Sequence, residues 1–333
     1  MSFDPKLLAV LPKPLVRLIE VIASGVGNVS RPYLTKKNAN AKSHEIREIV
    51  QAIEENQGFE GTIEYNDGKI RIISPEKVHE TYPGLAERAE SRLDFRELRK
   101  QENLEAICGE AAEQLAEEQN VSEESPDVDW VTRFLDIAEG VSAEMLQRLW
   151  GKLLAGEIKN PGSYSLRTLD TLRNLSMKEA ESFSKLCNYT LCTYRDNGLD
   201  KVFVVHTDPY LASKGVDFQE ILSLKDAGLI FENDLEFSFG QNKAGHTSHL
   251  INGQIMLLFE RTIDTPPVQC STMALTKVGR ELLQLVTVES DTEYLRLAAK
   301  TLQARGMKHA WAPIEKYEDK EGNVYIGAKT YFE

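Results

Sequence analysis

The sequence has no CxxC pair, no GxxxxGK[ST] loop, no GxSxG elbow, no HExxH helix and no apolar run long enough to cross a bilayer. Each absence closes a route to function. Without the phosphate-cradling loop there is no P-loop site, and without the strand-turn-helix serine or the two-histidine helix the common hydrolase signatures are missing. Four cysteines (Cys108, Cys187, Cys192 and Cys270) are scattered without regular spacing, so neither a zinc ribbon nor a disulfide framework is implied, and a reducing cytoplasm is the expected location. There is no internal repeat and no low-complexity tract.

Basic charge is also scarce, with 39 Lys and Arg against 52 Asp and Glu. A net charge of −13 argues against a surface that coats nucleic acid, since phosphate contacts need cations. The deficit is uneven. Residues 1–42 carry Lys6, Lys13, Arg17, Arg31, Lys36, Lys37 and Lys42 against only Asp4 and Glu20, so that segment is +5 and the remainder is −18.

The apolar positions then divide the chain. Leu15, Leu18, Ile19 and Ile22 recur at helical spacing, and a second helix is expected from Ser43 through Ile46, Ile49, Val50 and Ile53. Residues 1–58 therefore read as a basic N-terminal helical segment. Ile63–Tyr65 and Ile70–Ile73 flank Asn66-Asp67-Gly68, which makes 59–75 a β-hairpin. Residues 76–125 read as a long charged helix whose apolar stripe runs through Leu93, Leu98, Leu104, Ile107, Ala111 and Leu115. Arg88, Arg92, Arg96 and Lys100 form a basic stripe along it, either a solvated face balanced by neighbouring glutamates or a contact for an acidic partner.

The polar 120–128 stretch with Pro126 reads as a linker. Asp129, Ser142, Ser165 and the Ser176–Glu179 capping box open four helices, so 127–196 is expected to form a four-helix bundle extending through Tyr189 and Leu191. Residues 200–290 combine a short buried strand at Val202–Val205, a helix through Phe218 and Leu224, strands near 235–239 and 254–259, and a helix capped by Thr276, the order of a winged-helix-like domain. Its helix offers Lys214 and Lys225 against Asp217, Glu220 and Asp226, which is no basic surface. Residues 291–333 complete the chain as a helix ending at Gly306 and a hairpin pairing 310–317 with 324–331. The expected class is mainly α with small β-hairpins (α+β), a helical bundle followed by the winged-helix-like domain.

Weaker chemical signals compete with plain structural readings. His246 and His249 lack a third ligand nearby, and zinc sites usually present three or four protein ligands. Cys187 and Cys192 do not share a helix face well and read as core thiols. His206 beside Asp208 suggests a general base, but neither a nucleophile nor a pocket accompanies it. No cofactor is implied.

The stretch from Arg96 to Leu186 resembles a bacterial family known as domain of unknown function 2806. The resemblance is carried by Arg99–Ile107, Asp129-Trp130-Val131, Phe134, Val141–Gln147, Leu149-Trp150, Leu153–Glu157, Pro161–Ser165, Arg167-Thr168-Leu169 and Leu175-Ser176. It is weaker toward helical modules of abortive-infection proteins. The resemblance implies bacterial accessory genes, with phage defence as a setting, and brings no active site with it. Among the matching positions, Gln147, Glu157, Ser165 and Arg167 are polar residues that packing alone does not explain, which makes them the candidate partner surface. The expected function is a non-catalytic interaction or scaffold protein that binds a protein partner or itself. The alternatives are a membrane-acting effector whose Lys13, Arg17, Arg31, Lys36 and Lys37 meet an anionic, peripheral membrane surface or an acidic partner, and nucleic-acid binding through the winged-helix-like domain.

Overall fold

The structure is a computed structural model that describes residues 12–26, 62–66, 69–73 and 84–332, apart from 117, 119, 196–197, 208, 240–242, 265, 304–305 and 317–323. The helix expected after Ser43 and the turn at Asp67-Gly68 lie outside these residues. The chain divides into two compact units, Met1–Gly162 and Ser163–Glu333.

The first unit contains α1 (Lys13–Val26), β1 (Thr62–Asn66), β2 (Lys69–Ile73), α2 (Leu85–Ala116), α3 (Val128–Ala138) and α4 (Glu144–Lys159). β1 and β2 pair antiparallel, with Thr62 opposite Ile73 and Asn66 opposite Lys69. The helices form the core. Leu18, Val21 and Ile22 of α1, Leu104, Ile107, Ala111 and Leu115 of α2, and Leu153, Leu154 and Ile158 of α4 are all buried. Trp130 stacks on Phe134 at 5.2 Å, and Phe134 meets Trp150 at 5.3 Å. Each such burial contributes about 1.5–3 kcal/mol. α2 and α4 approach closely because position 151 is glycine. A Cβ there would lie 2.5 Å from Glu110 Cβ and 3.1 Å from the Ala111 amide nitrogen.

Two boundaries differ from the sequence expectation. The polar 120–128 stretch is no domain linker. Pro126 is buried and the Ser122 amide donates to the Lys159 carbonyl, so the stretch is laid along the first unit. Polarity reports contact with water on one side of a segment and says nothing of the packing on the other. The break falls instead at the Pro161-Gly162 turn, where Gly162 adopts φ +84°. The expected 127–196 bundle is therefore divided. α3 and α4 pack with α1 and α2, while the next two helices belong to the second unit. Asp127, not Asp129, caps α3 by accepting from the Trp130 amide at 3.0 Å, and Ala143, not Ser142, is the N-cap of α4.

The second unit contains α5 (Leu166–Asn174), α6 (Met177–Cys187), β3 (Leu191–Arg195), β4 (Gly198–Val205), α7 (Tyr210–Ser213), α8 (Phe218–Asp226), β5 (Leu235–Phe239), β6 (Thr247–Asn252), β7 (Ile255–Arg261), β8 (Val268–Ala274), α9 (Lys277–Leu283), α10 (Thr292–Thr301), β9 (Met307–Lys316), β10 (Tyr325–Ile326) and β11 (Thr330–Tyr331). In place of small separate hairpins there is one nine-stranded antiparallel sheet in the order β10-β9-β7-β6-β3-β4-β8-β5, with β11 also on β9. Three strands escaped the sequence reading. β3 occupies residues assigned to the end of a helix, β6 lies in the stretch read as a polar loop, and β8 inserts between β4 and β5. β3 and β6 pair with the strands that follow them, Arg195 opposite Gly198 and Asn252 opposite Ile255. β8 has only distant partners, with Phe203 opposite Ala274 and Phe237 opposite Cys270, so no local turn signal announces β8. The C-terminal pairing matches expectation, with Tyr331 opposite Ala310 and Ile326 opposite Ile314. α10 stops at Thr301, short of Gly306. The mixed α+β class stands.

Candidate interaction surface

Among the described residues of the first unit, most of the exposed large hydrophobic side chains lie on the first turns of α2. Helical geometry holds from Leu85 without a break, yet no side chain between Leu85 and Asn103 is buried. Leu85, Leu93, Phe95 and Leu98 are 78%, 52%, 60% and 59% exposed. Local interactions keep these turns helical. Glu87 accepts from the Gly84 amide at 2.9 Å, and the run is rich in Ala, Leu, Glu and Arg, good helix formers. Lys100 then ties α2 to Glu97 at 3.1 Å and to Glu139 at 3.0 Å. Those hydrogen bonds to Glu139 and Glu97 hold its ammonium above the ordinary lysine range.

The arrangement of charge on these turns is ordered. At roughly 100° per residue, Glu87, Glu90, Asp94 and Glu97 fall on one stripe, while Arg88, Arg92, Arg96 and Arg99 fall on the opposite one. Phe95 and Leu98 occupy the seam between the stripes on one side, with the Arg99 guanidinium 5.8 Å over the Phe95 ring. The apolar stripe expected through both Leu93 and Leu98 is thus not one stripe. Leu98 faces away from the side on which Leu104, Ile107, Ala111 and Leu115 are buried. Phe95 was the residue missed, and its i, i+3 spacing to Leu98 between charges of opposite sign was the available signal.

Other candidates have partners within their own unit. On α1, Lys13 pairs with Glu123 at 3.0 Å, and Arg17 donates to Glu20, to Ser125 and to the Glu123 carbonyl. The apolar stripe of α1 packs on α2, α3 and α4. Arg31, Lys36 and Lys37 lie outside the described residues. Gln147 donates to the Val141 carbonyl at 2.9 Å and to Asn103 Oδ1 at 3.2 Å, and Asn103 donates to the Glu139 carbonyl. Glu157 is buried and accepts from the Gly162 amide. These polar positions are explained by hydrogen bonds that hold loops, not by an open surface.

In the second unit, Ser165 is the N-cap of α5, but its hydroxyl accepts from no backbone amide of that helix. Its amide and hydroxyl both donate to Glu281 Oε2, at 2.7 and 2.9 Å, and the Thr168 hydroxyl donates to the same oxygen. A carboxylate from α9 thus occupies the helix start, where amides and dipole favour an anion. Arg167 is exposed and remains the one member of the proposed quartet on open surface. His206 Nε2 lies 2.7 Å from Asp234 Oδ2, a partner sequence spacing could not suggest, and Asp208 lies outside the described residues. Burial pushes the Cys108 and Cys192 thiols up to about 12, as expected of core cysteines. His246 and His249 belong to no group of three His, Cys, Asp or Glu placed to hold a metal among the described residues. On α8, Phe218 and Leu222 sit one turn apart on an exposed face, 71% and 42% exposed. No described helix is long and apolar enough to cross a membrane.

The family model described as "Protein of unknown function (DUF2806)" matches residues 87–299, and the chain belongs to that family. Neither a curated protein nor a solved structure matches it. The family match begins inside the exposed turns of α2 and runs to α10, so it includes the Phe95–Leu98 seam.

Proposed function

We propose that this protein is a non-catalytic interaction protein that docks a helical partner on the first four turns of α2. The observation that carries this reading is the exposure of Phe95 and Leu98 between segregated acidic and basic stripes. A monomer gains nothing from two large apolar groups in water on a helix already formed, whereas a partner helix would bury them at little ordering cost. The stripes would give such a partner its orientation, since rim charges set specificity more than affinity.

The second unit supports the same class of function. On this reading α8, the bridge between Ile230 and Leu275, the β5–β8 ladder and α9 make up a winged-helix-like module, with β6 and β7 inserted between the two strands of the ladder. Winged helices that bind DNA present a basic helix face. Here α8 presents Phe218 and Leu222 among Asp217, Glu220 and Asp226, a composition suited to protein contact.

The test is site-specific photocrosslinking in producing cells, with a benzophenone side chain at position 95 or at 90. Crosslinked protein species from 95 and none from 90 are expected. Equal yields, or none from either, would overturn the docking reading.

A further inference from the structure

The seam on α2 specifies its partner more closely, and this step rests on the docking reading above. With Phe95 at position a of a heptad and Leu98 at d, Ser91 takes the preceding d and Arg88 the preceding a. The flanking g positions are then Glu87 and Asp94, and the flanking e positions are Arg92 and Arg99. In a parallel two-stranded coiled coil, each g residue meets the e residue five positions later on the other strand. That pairs Glu87 with Arg92 and Asp94 with Arg99, twice over by symmetry. Antiparallel pairing brings g against g and e against e, acid to acid and arginine to arginine. The helix is therefore complementary to itself in one direction and repelled in the other.

Placement within the first unit agrees. The residues of α2 that α4 covers, Leu104, Ile107 and Ala111, fall at the c and f positions of the same heptad, on the side of the helix away from a and d. Two copies joined along Phe95 and Leu98 would carry their helical cores outward. The junction clamp made by Lys100, Asn103, Gln147 and Glu139 also leaves this seam uncovered.

We infer that the first four turns of α2 form a parallel, in-register coiled coil with a second copy of this chain, its direction set by Glu87–Arg92 and Asp94–Arg99 pairs across Phe95 and Leu98. The pairing is weak, because only two of the seam positions are apolar, and it is reversible with salt, because exposed ion pairs are screened.

The experiment uses the full chain with single cysteines introduced at the seam. All four native cysteines are buried, so an introduced thiol reports alone in a glutathione buffer. Ser91→Cys and Glu102→Cys, at d and a, are each expected to give disulfide-linked dimers, while Leu93→Cys, at the far f position, gives none. Antiparallel pairing would instead yield a dimer only when the two seam variants are mixed. That result, or no dimer from either variant across the soluble concentration range, overturns the inference. A second measurement uses charge exchange. Asp94→Arg in one chain, and Arg99→Glu in another, should each sediment as monomers and associate when mixed. Because all these positions are exposed, each variant is expected to keep the wild-type melting curve. Photocrosslinks from position 95 to a different protein, with no disulfide dimer, would leave the docking reading standing while removing self-pairing. Absence of both would remove the two together.

Discussion

The two halves of α2 are one helix under two regimes. From Leu104 to Leu115 it is held by burial against α4, with Ile107 fully enclosed and Gly151 allowing the backbones to close. From Leu85 to Arg99 it is held by its own sequence, through helix-forming residues and the Glu87 carboxylate that accepts from the Gly84 amide. Isolated helices of this length are marginal in water, so the inner half also serves as the nucleus from which the outer half continues. The comparison teaches that helix formation and helix packing are separable here, and that the unpacked half keeps an apolar seam for another use.

The widest separation between the halves should come from truncating one apolar side chain in each. Ile107→Ala is expected to lower the stability of the first unit by about 2–5 kcal/mol in urea unfolding. Leu93→Ala, on the same helix but exposed, should cost less than about 0.5 kcal/mol. Comparable losses would mean that the outer half is packed after all.

Ser91→Pro should disrupt the outer half locally at a cost of about 3 kcal/mol. Far-UV ellipticity is expected to fall while the unfolding midpoint of the first unit stays in place. A shifted midpoint would show that the two halves unfold as one. The junction can be moved more gently. Gln147→Ala removes the bonds to Asn103 and to the Val141 carbonyl, at about 1 kcal/mol. Hydrogen exchange should then advance from the outer turns toward Leu104.

The smallest effect concerns pH. Hydrogen bonds to Glu139 and Glu97 raise the Lys100 pKa above the ordinary 10.5. A raised folded pKa means that its contribution is complete below 10.5 and is lost as pH rises through the folded value. Amide exchange near the junction should therefore quicken at alkaline pH in the wild type and change less in Lys100→Met.

Much of this was legible in the chain. Helical spacing located α1, α2, α3, α4, α5 and α6, and the Ser176–Glu179 capping box is formed as read, with both reciprocal bonds present. The hairpin strands flanking Asn66 pair as expected. What was not legible depended on distant partners. β8 is ordinary as a local string and becomes a central strand only because β4 and β5 flank it. Ser165 looked like a free polar position until Glu281, far along the chain, supplied its acceptor. Leu93 and Leu98 looked like core and are exposed, since hydrophobicity marks a residue as able to be buried without saying whether anything covers it.

The sequence by itself determined which segments form the helices of the first unit and how charge is segregated along α2, because these depend on contacts within a few residues. Only the tertiary structure decided that the units divide at Gly162, that nine strands join one sheet, and that α2 is covered on one half and open on the other. Those outcomes depend on which surfaces meet across long stretches of chain, and no local pattern carries that information.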